Sequence, residues 1–166
     1  MRIAQFLSSL LVDEAWAWPA DWAWGVPMIV VTVLIHALGL GLVRHAALRV
    51  WRHSVGQGHE TGVFVVVISL ATLLATCLHG LEAAMWAGAY RFVGALSDNK
   101  SAMLYSLNAM TSYGHVDLHL NARWHLLGAI EALNGWLLFG LSTAFLFAVI
   151  EKVFFSLKDR QEHEDT

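Results

Sequence analysis

Apolar residues dominate three stretches of the chain: positions 26–43, positions 63–80 with an apolar continuation to 96, and positions 124–155. Each approaches or exceeds the roughly 20 residues that a helix needs to cross a bilayer. Three transmembrane helices are therefore expected. Positions 3–12 are also apolar, but Gln5, Ser8 and Ser9 interrupt them, so they are too short and too polar to span and read as an interfacial helix. Between the first two spans, Leu48 and Trp51 share a segment with Arg49, Arg52 and His53, which suits a helix lying on anionic headgroups.

The segment between the second and third spans has a different character. Positions 101–111 suit a helix with Asp98 or Ser101 as N-cap, yet at about 1.5 Å per residue they cover roughly 16 Å, half a bilayer. Residues 112–117, extended at roughly 3.3 Å each, cover about 20 Å, enough to return to the same surface. Helix in and extended chain out make a re-entrant loop. Non-helical backbone at membrane depth survives only where protein surrounds it or where it lines a wet cavity, and this points to a pore.

Composition supports a membrane setting. The chain of 166 residues is 57% hydrophobic and 14% charged, against roughly 45–50% and about 25% in soluble domains. The ten Lys and Arg residues are scattered, so no nucleic-acid footprint forms. Half of the eight tryptophans fall between Trp16 and Trp24, where an amphipathic indole suits a membrane interface. The single Cys77 excludes an intramolecular disulfide. Arg44, Arg49 and Arg52 before the second span, and Lys152, Lys158 and Arg160 after the third, place both regions in the cytoplasm by the positive-inside rule. A multi-pass cell-membrane protein with its N-terminus outside, Asp21 included, and its C-terminus in the cytoplasm is expected. The first span carries no arginine at every third position, so voltage sensing is not.

The run Met103-Leu104-Tyr105-Ser106-Leu107-Asn108-Ala109-Met110-Thr111-Ser112-Tyr113-Gly114-His115-Val116-Asp117-Leu118 resembles the pore module of prokaryotic potassium-channel-like proteins. So do the stretches Gly128-Ala129-Ile130-Glu131-Ala132-Leu133-Asn134-Gly135 and Leu137-Leu138-Phe139-Gly140. That module is an outer helix, a pore helix, a filter and an inner helix, with four copies around one ion pathway. The resemblance covers roughly residues 63–155 and leaves the first span outside it. Against the family filter T-x-G-Y-G-D, Thr111 matches the preceding Thr, Ser112 the filter Thr, Tyr113 the variable position and Gly114 the first Gly. His115 then falls on the Tyr, Val116 on the second Gly and Asp117 on the Asp. A β-branched Val116 does not reach the positive φ that glycine adopts there, so the outer carbonyl rings are expected to be rebuilt or lost. His115 adds a group that titrates near neutrality, with a reference pKa of about 6.5.

Ionisable side chains within spans are functional candidates. His79 and Glu82, three apart on one helical face, and Glu131 are expected to brace the pore helix and filter. Gly135 and Gly140 read as packing positions or inner-helix hinges, and Ser142 and Thr143 offer hydroxyls to a cavity. His36 reads as a hydrogen-bonded packing histidine, and His115, His119 and His125 as solvated histidines at the outer mouth.

The expected molecule is an all-α membrane protein and not an enzyme. It comprises an interfacial segment 1–25, a transmembrane helix 26–43, a basic linker 44–61, a pore module 62–155 and a charged tail 156–166. It assembles as a homotetramer among membrane lipids and conducts potassium or monovalent cations non-selectively. No cofactor is expected, nor a metal site beyond permeant cations. Two alternatives stand beside it: a haem-binding electron-transfer subunit with His36 and His79 as axial ligands, and a non-conducting channel-like subunit.

Overall fold

The computed structural model describes residues 2–54, 60–114 and 118–164, with side chains at 18–53, 61–114, 118–152 and 155. All regular structure among these residues is helical: α1 (Arg2–Ser54), α2 (Glu60–Phe92), α3 (Asn99–Met110) and α4 (His125–Glu164), the last entered through a single 3₁₀ turn, Ala122–Trp124. Three segments are long and apolar enough to cross a membrane: Trp18–His53, Thr61–Phe92 and Ala122–Lys152. These are the three spans that the hydropathy pattern calls for.

Over the N-terminal third, α1 runs without a break through the parts expected to be interfacial, spanning and basic. Pro19 and Pro27 lie inside it. Each removes its own backbone N–H and crowds the carbonyl four residues before it, and such breaks are tolerated in membrane helices when neighbouring groups compensate. No glycine in the left-handed conformation stops the helix before Ser54. Trp18, Trp22 and Trp24 are exposed near the start of the apolar stretch.

Helix α2 has a defined stop. Gly94 takes φ +70, its amide reaches the Arg91 carbonyl at 3.3 Å, and the Ala95 amide reaches the Tyr90 carbonyl at 2.9 Å. These two bonds form a Schellman motif with glycine at the left-handed position. Beyond it, Asn121 returns to the same turn, its Nδ2 donating to the Gly94 carbonyl at 2.8 Å and its amide to the Ala95 carbonyl at 3.2 Å.

The chain divides into two compact units. Unit 1 comprises residues 1–34 and 80–137, and its core gathers Trp86, Tyr90, Ala102, Tyr105, Leu127 and Ile130. Tyr90 meets Tyr105 edge to face, with centroids 5.2 Å apart. Unit 2 comprises residues 35–79 and 138–166, where Ala47, Val67 and Val149 are buried together against Phe145 and Ile68. Gly39 lets α1 approach α2 there, since a Cβ at this position would stand 2.7 Å from a methyl of Leu78.

Candidate functional site

Helix α3 has 12 residues, about 18 Å at 1.5 Å per residue, and cannot cross a bilayer. Its start is fixed by Asp98, an extended residue whose Oδ1 accepts from the Ser101 amide at 2.9 Å, as an N-cap does. That hydrogen bond holds the Asp98 carboxyl below its ordinary range. Its end is a second Schellman motif. The Ser112 amide donates to Ala109 and the Tyr113 amide to Asn108, both at 3.0 Å, and Ser112 takes φ 54. The expected extended return therefore does not begin at Ser112, which instead closes the helix in the left-handed region. A non-glycine residue in that conformation costs roughly 1–2 kcal/mol. Trp136 on α4 offers compensation, its Nε1 donating to Ser112 Oγ at 3.0 Å.

Of the residues matched to the filter, Thr111, Ser112, Tyr113 and Gly114 are all exposed, Tyr113 at 84%. Gly114 takes φ +92. His115, Val116 and Asp117 lie outside the described residues.

Glu131 connects three helices. It is completely buried on α4, and its two carboxylate oxygens meet the hydroxyls of Tyr90 on α2 and Ser106 on α3. Ser106 Oγ also donates to the Ala83 carbonyl of α2 at 2.8 Å. The short helix is thus held to both α2 and α4 through one carboxyl group. Two glycines of α4 permit the same approach. A Cβ at Gly135 would lie 2.2 Å from the Met110 carbonyl oxygen and 2.7 Å from its Cα, and a Cβ at Gly128 would lie 2.1 Å from the Tyr105 hydroxyl. Gly135 is therefore the point where the last turn of α3 touches α4, whereas nothing approaches a Cβ at Gly140 within 4 Å.

The remaining candidates lie elsewhere. His79, expected behind the filter, belongs to unit 2, where it bonds Ser142. Ser142 Oγ stands 3.0 Å from His79 Nε2 and 2.9 Å from His36 Nε2, so its hydroxyl faces this pair within the unit. Thr143 is exposed and returns its hydroxyl to the Phe139 carbonyl of its own helix at 2.9 Å. Glu82 is completely buried on α2. The rings of His36 and His79 have centroids 4.8 Å apart, with both Nε2 atoms on one hydroxyl. That geometry leaves no gap for a porphyrin plane between them and disfavours the haem alternative. Of the histidines expected at an outer mouth, His119 is exposed and His125 Nε2 donates to the Leu120 carbonyl at 2.8 Å.

Several residues of the site carried no strong sequence signal. Tyr90 and Ser106 read as ordinary members of their helices, and only the burial of Glu131 calls for such donors. Asp21, expected on the outer side, is buried and accepts the backbone amide of Leu127. The first amides of α4 have no partner within their own helix, and the positive end of the helix favours an anion there. Thr32 and Asn134 pair in the core of unit 1, Asn134 Nδ2 donating to Thr32 Oγ1 at 2.9 Å. Polar residues in otherwise apolar spans signal such cross-helix bonds.

No protein-family model matches the chain, and no curated protein or solved structure matches it.

Proposed function

We propose that the chain is one subunit of a homotetrameric pore-loop cation channel in the cell membrane, with its N-terminus outside and its C-terminus in the cytoplasm. The observation that carries this reading is α3, a helix too short to span, held between spanning helices through Glu131 and Gly135, and ending on the exposed turn 111–114. Carbonyls at the C-terminal end of a helix bear about half a negative charge, and a half-membrane helix presenting that end to the bilayer centre favours a cation. Residues 111–117 form the filter in this reading, and Glu131 is the support that keeps α3 in register. An exposed polar turn needs neighbours at membrane depth, and three further copies supply them around a shared axis.

Potassium or unselective monovalent permeation follows from the filter match. Selectivity depends on intact carbonyl rings, and Val116 replaces a glycine of the family pattern. Bi-ionic reversal potentials in planar bilayers test the proposal. The parent channel conducts monovalent cations, and the double variant His115→Tyr with Val116→Gly discriminates potassium from sodium more strongly than the parent, with Val116→Gly alone intermediate. An assembled protein that passes no cation current overturns the channel reading and leaves the non-conducting subunit.

A further inference from the structure

His36 and His79 come from different helices, yet both aim Nε2 at one point, the hydroxyl oxygen of Ser142, at 2.9 and 3.0 Å. A ring nitrogen of one lies within 4.8 Å of a ring nitrogen of the other. His36 is completely buried. Hydrogen-bond satisfaction alone does not require this convergence, because one hydroxyl per imidazole is enough and a membrane helix offers its own carbonyls as well. Converging neutral imidazoles are, by contrast, the donor set that late first-row divalent ions take. Zinc–nitrogen bonds of about 2.0–2.1 Å at a tetrahedral angle set the two nitrogens roughly 3.4 Å apart. Reaching that separation from 4.8 Å asks each ring nitrogen to move by less than about 1 Å. Ser142 already orients the two Nε2 atoms toward a common focus, and its oxygen is a third donor.

We propose that His36 and His79, with Ser142, bind a divalent late transition-metal ion, zinc foremost. The ion would staple α1 to α2 and α4 within unit 2. This gives a task to α1, the helix that the pore-module resemblance leaves without one. The site does not depend on the channel reading, because its ligands are not filter residues and metal binding is measured without ion conduction.

The test uses the full-length protein in lipid nanodiscs, stripped with a chelator and dialysed against graded Zn²⁺. The parent binds one high-affinity Zn²⁺ per chain. His36→Gln and His79→Gln each retain a side chain that can bond Ser142, and each weakens zinc binding by more than about 100-fold, beyond the 10–100-fold effect of losing an outer-shell partner. The control variant His119→Gln with His125→Gln binds as the parent does. If the glutamine variants fail to assemble, zinc-edge X-ray absorption of the loaded parent decides, with two imidazoles in the zinc shell expected. A parent without saturable zinc binding overturns the proposal. So do assembled glutamine variants of unchanged affinity, or a zinc shell without an imidazole pair.

Discussion

Single residues decide how α3 is held. Glu131 receives the Tyr90 and Ser106 hydroxyls in a fully buried setting. Glu131→Ala leaves the Tyr90 hydroxyl short of an acceptor, which costs about 1–3 kcal/mol, while Ser106 keeps the Ala83 carbonyl. Glu131→Gln keeps the shape and one acceptor oxygen. Thermal unfolding in detergent should rank the parent above Glu131→Gln and Glu131→Gln above Glu131→Ala, with tetramer yield following the same order. Ser112 is the opposite case, a residue whose backbone works against its side chain. At φ 54 glycine is unstrained, so Ser112→Gly relieves about 1 kcal/mol of backbone cost and gives up the bond from Trp136. Ser112→Thr installs the residue of the family pattern in a conformation that β-branched side chains avoid. It should destabilise the end of α3 by about 1–3 kcal/mol, seen as faster amide exchange at Tyr113. An unchanged exchange rate in Ser112→Thr would mean that the helix does not end in the left-handed turn.

Among the elements, α3 was legible before its surroundings were. A short helix over 101–111 with Asp98 or Ser101 as N-cap follows from the residue pattern, and it is present as Asn99–Met110, capped by Asp98. Its exit did not follow, because a serine in the left-handed region leaves no sequence mark, whereas Gly94 at the end of α2 does. The Asp98 cap makes a pH prediction. Its carboxyl is held below the ordinary range in the folded chain by the bond from the Ser101 amide, so the unfolded chain takes up the proton first. The stabilisation is fully present above the unfolded-state pKa of about 3.9 and is lost as pH falls through the lower folded-state value. Asp98→Asn keeps a capping oxygen and should remove this acid sensitivity from amide exchange in the first turn of α3. The contact between α3 and α4 rests on Gly135, where a methyl group would meet the Met110 backbone at 2.2 Å. A backbone neighbour cannot rotate aside, so Gly135→Ala should lower stability by at least the 1–3 kcal/mol typical of overpacking. Gly140→Ala, with open space around it, should not. Comparable losses at the two positions would refute the close approach.

For the whole molecule, the three helices long and apolar enough to cross a membrane were readable from hydropathy because apolar runs of that length have few other solutions. The pairings between helices were not, because they join residues distant in sequence whose types are individually unremarkable: Thr32 with Asn134, His36 with Ser142, Asp21 with the start of α4. Assembly was inferred from the turn at 111–114, and native mass measurement of the detergent-solubilised protein should give a tetramer. A stable monomer or dimer would remove the shared pore. The long-range pairings also bear on how the protein is made. Thr32 and His36 meet side chains 102 and 106 residues further along the chain. At a synthesis rate of about 5–20 residues per second, the ribosome needs roughly 5–20 seconds to deliver those partners after α1 has emerged. Thr32 bridges the wait by bonding the Met28 carbonyl of its own helix at 2.8 Å. The bond between His36 and Ser142 forms only once the last long helix has been made, so this part of the packing of α1 against α4 is completed at the end of synthesis.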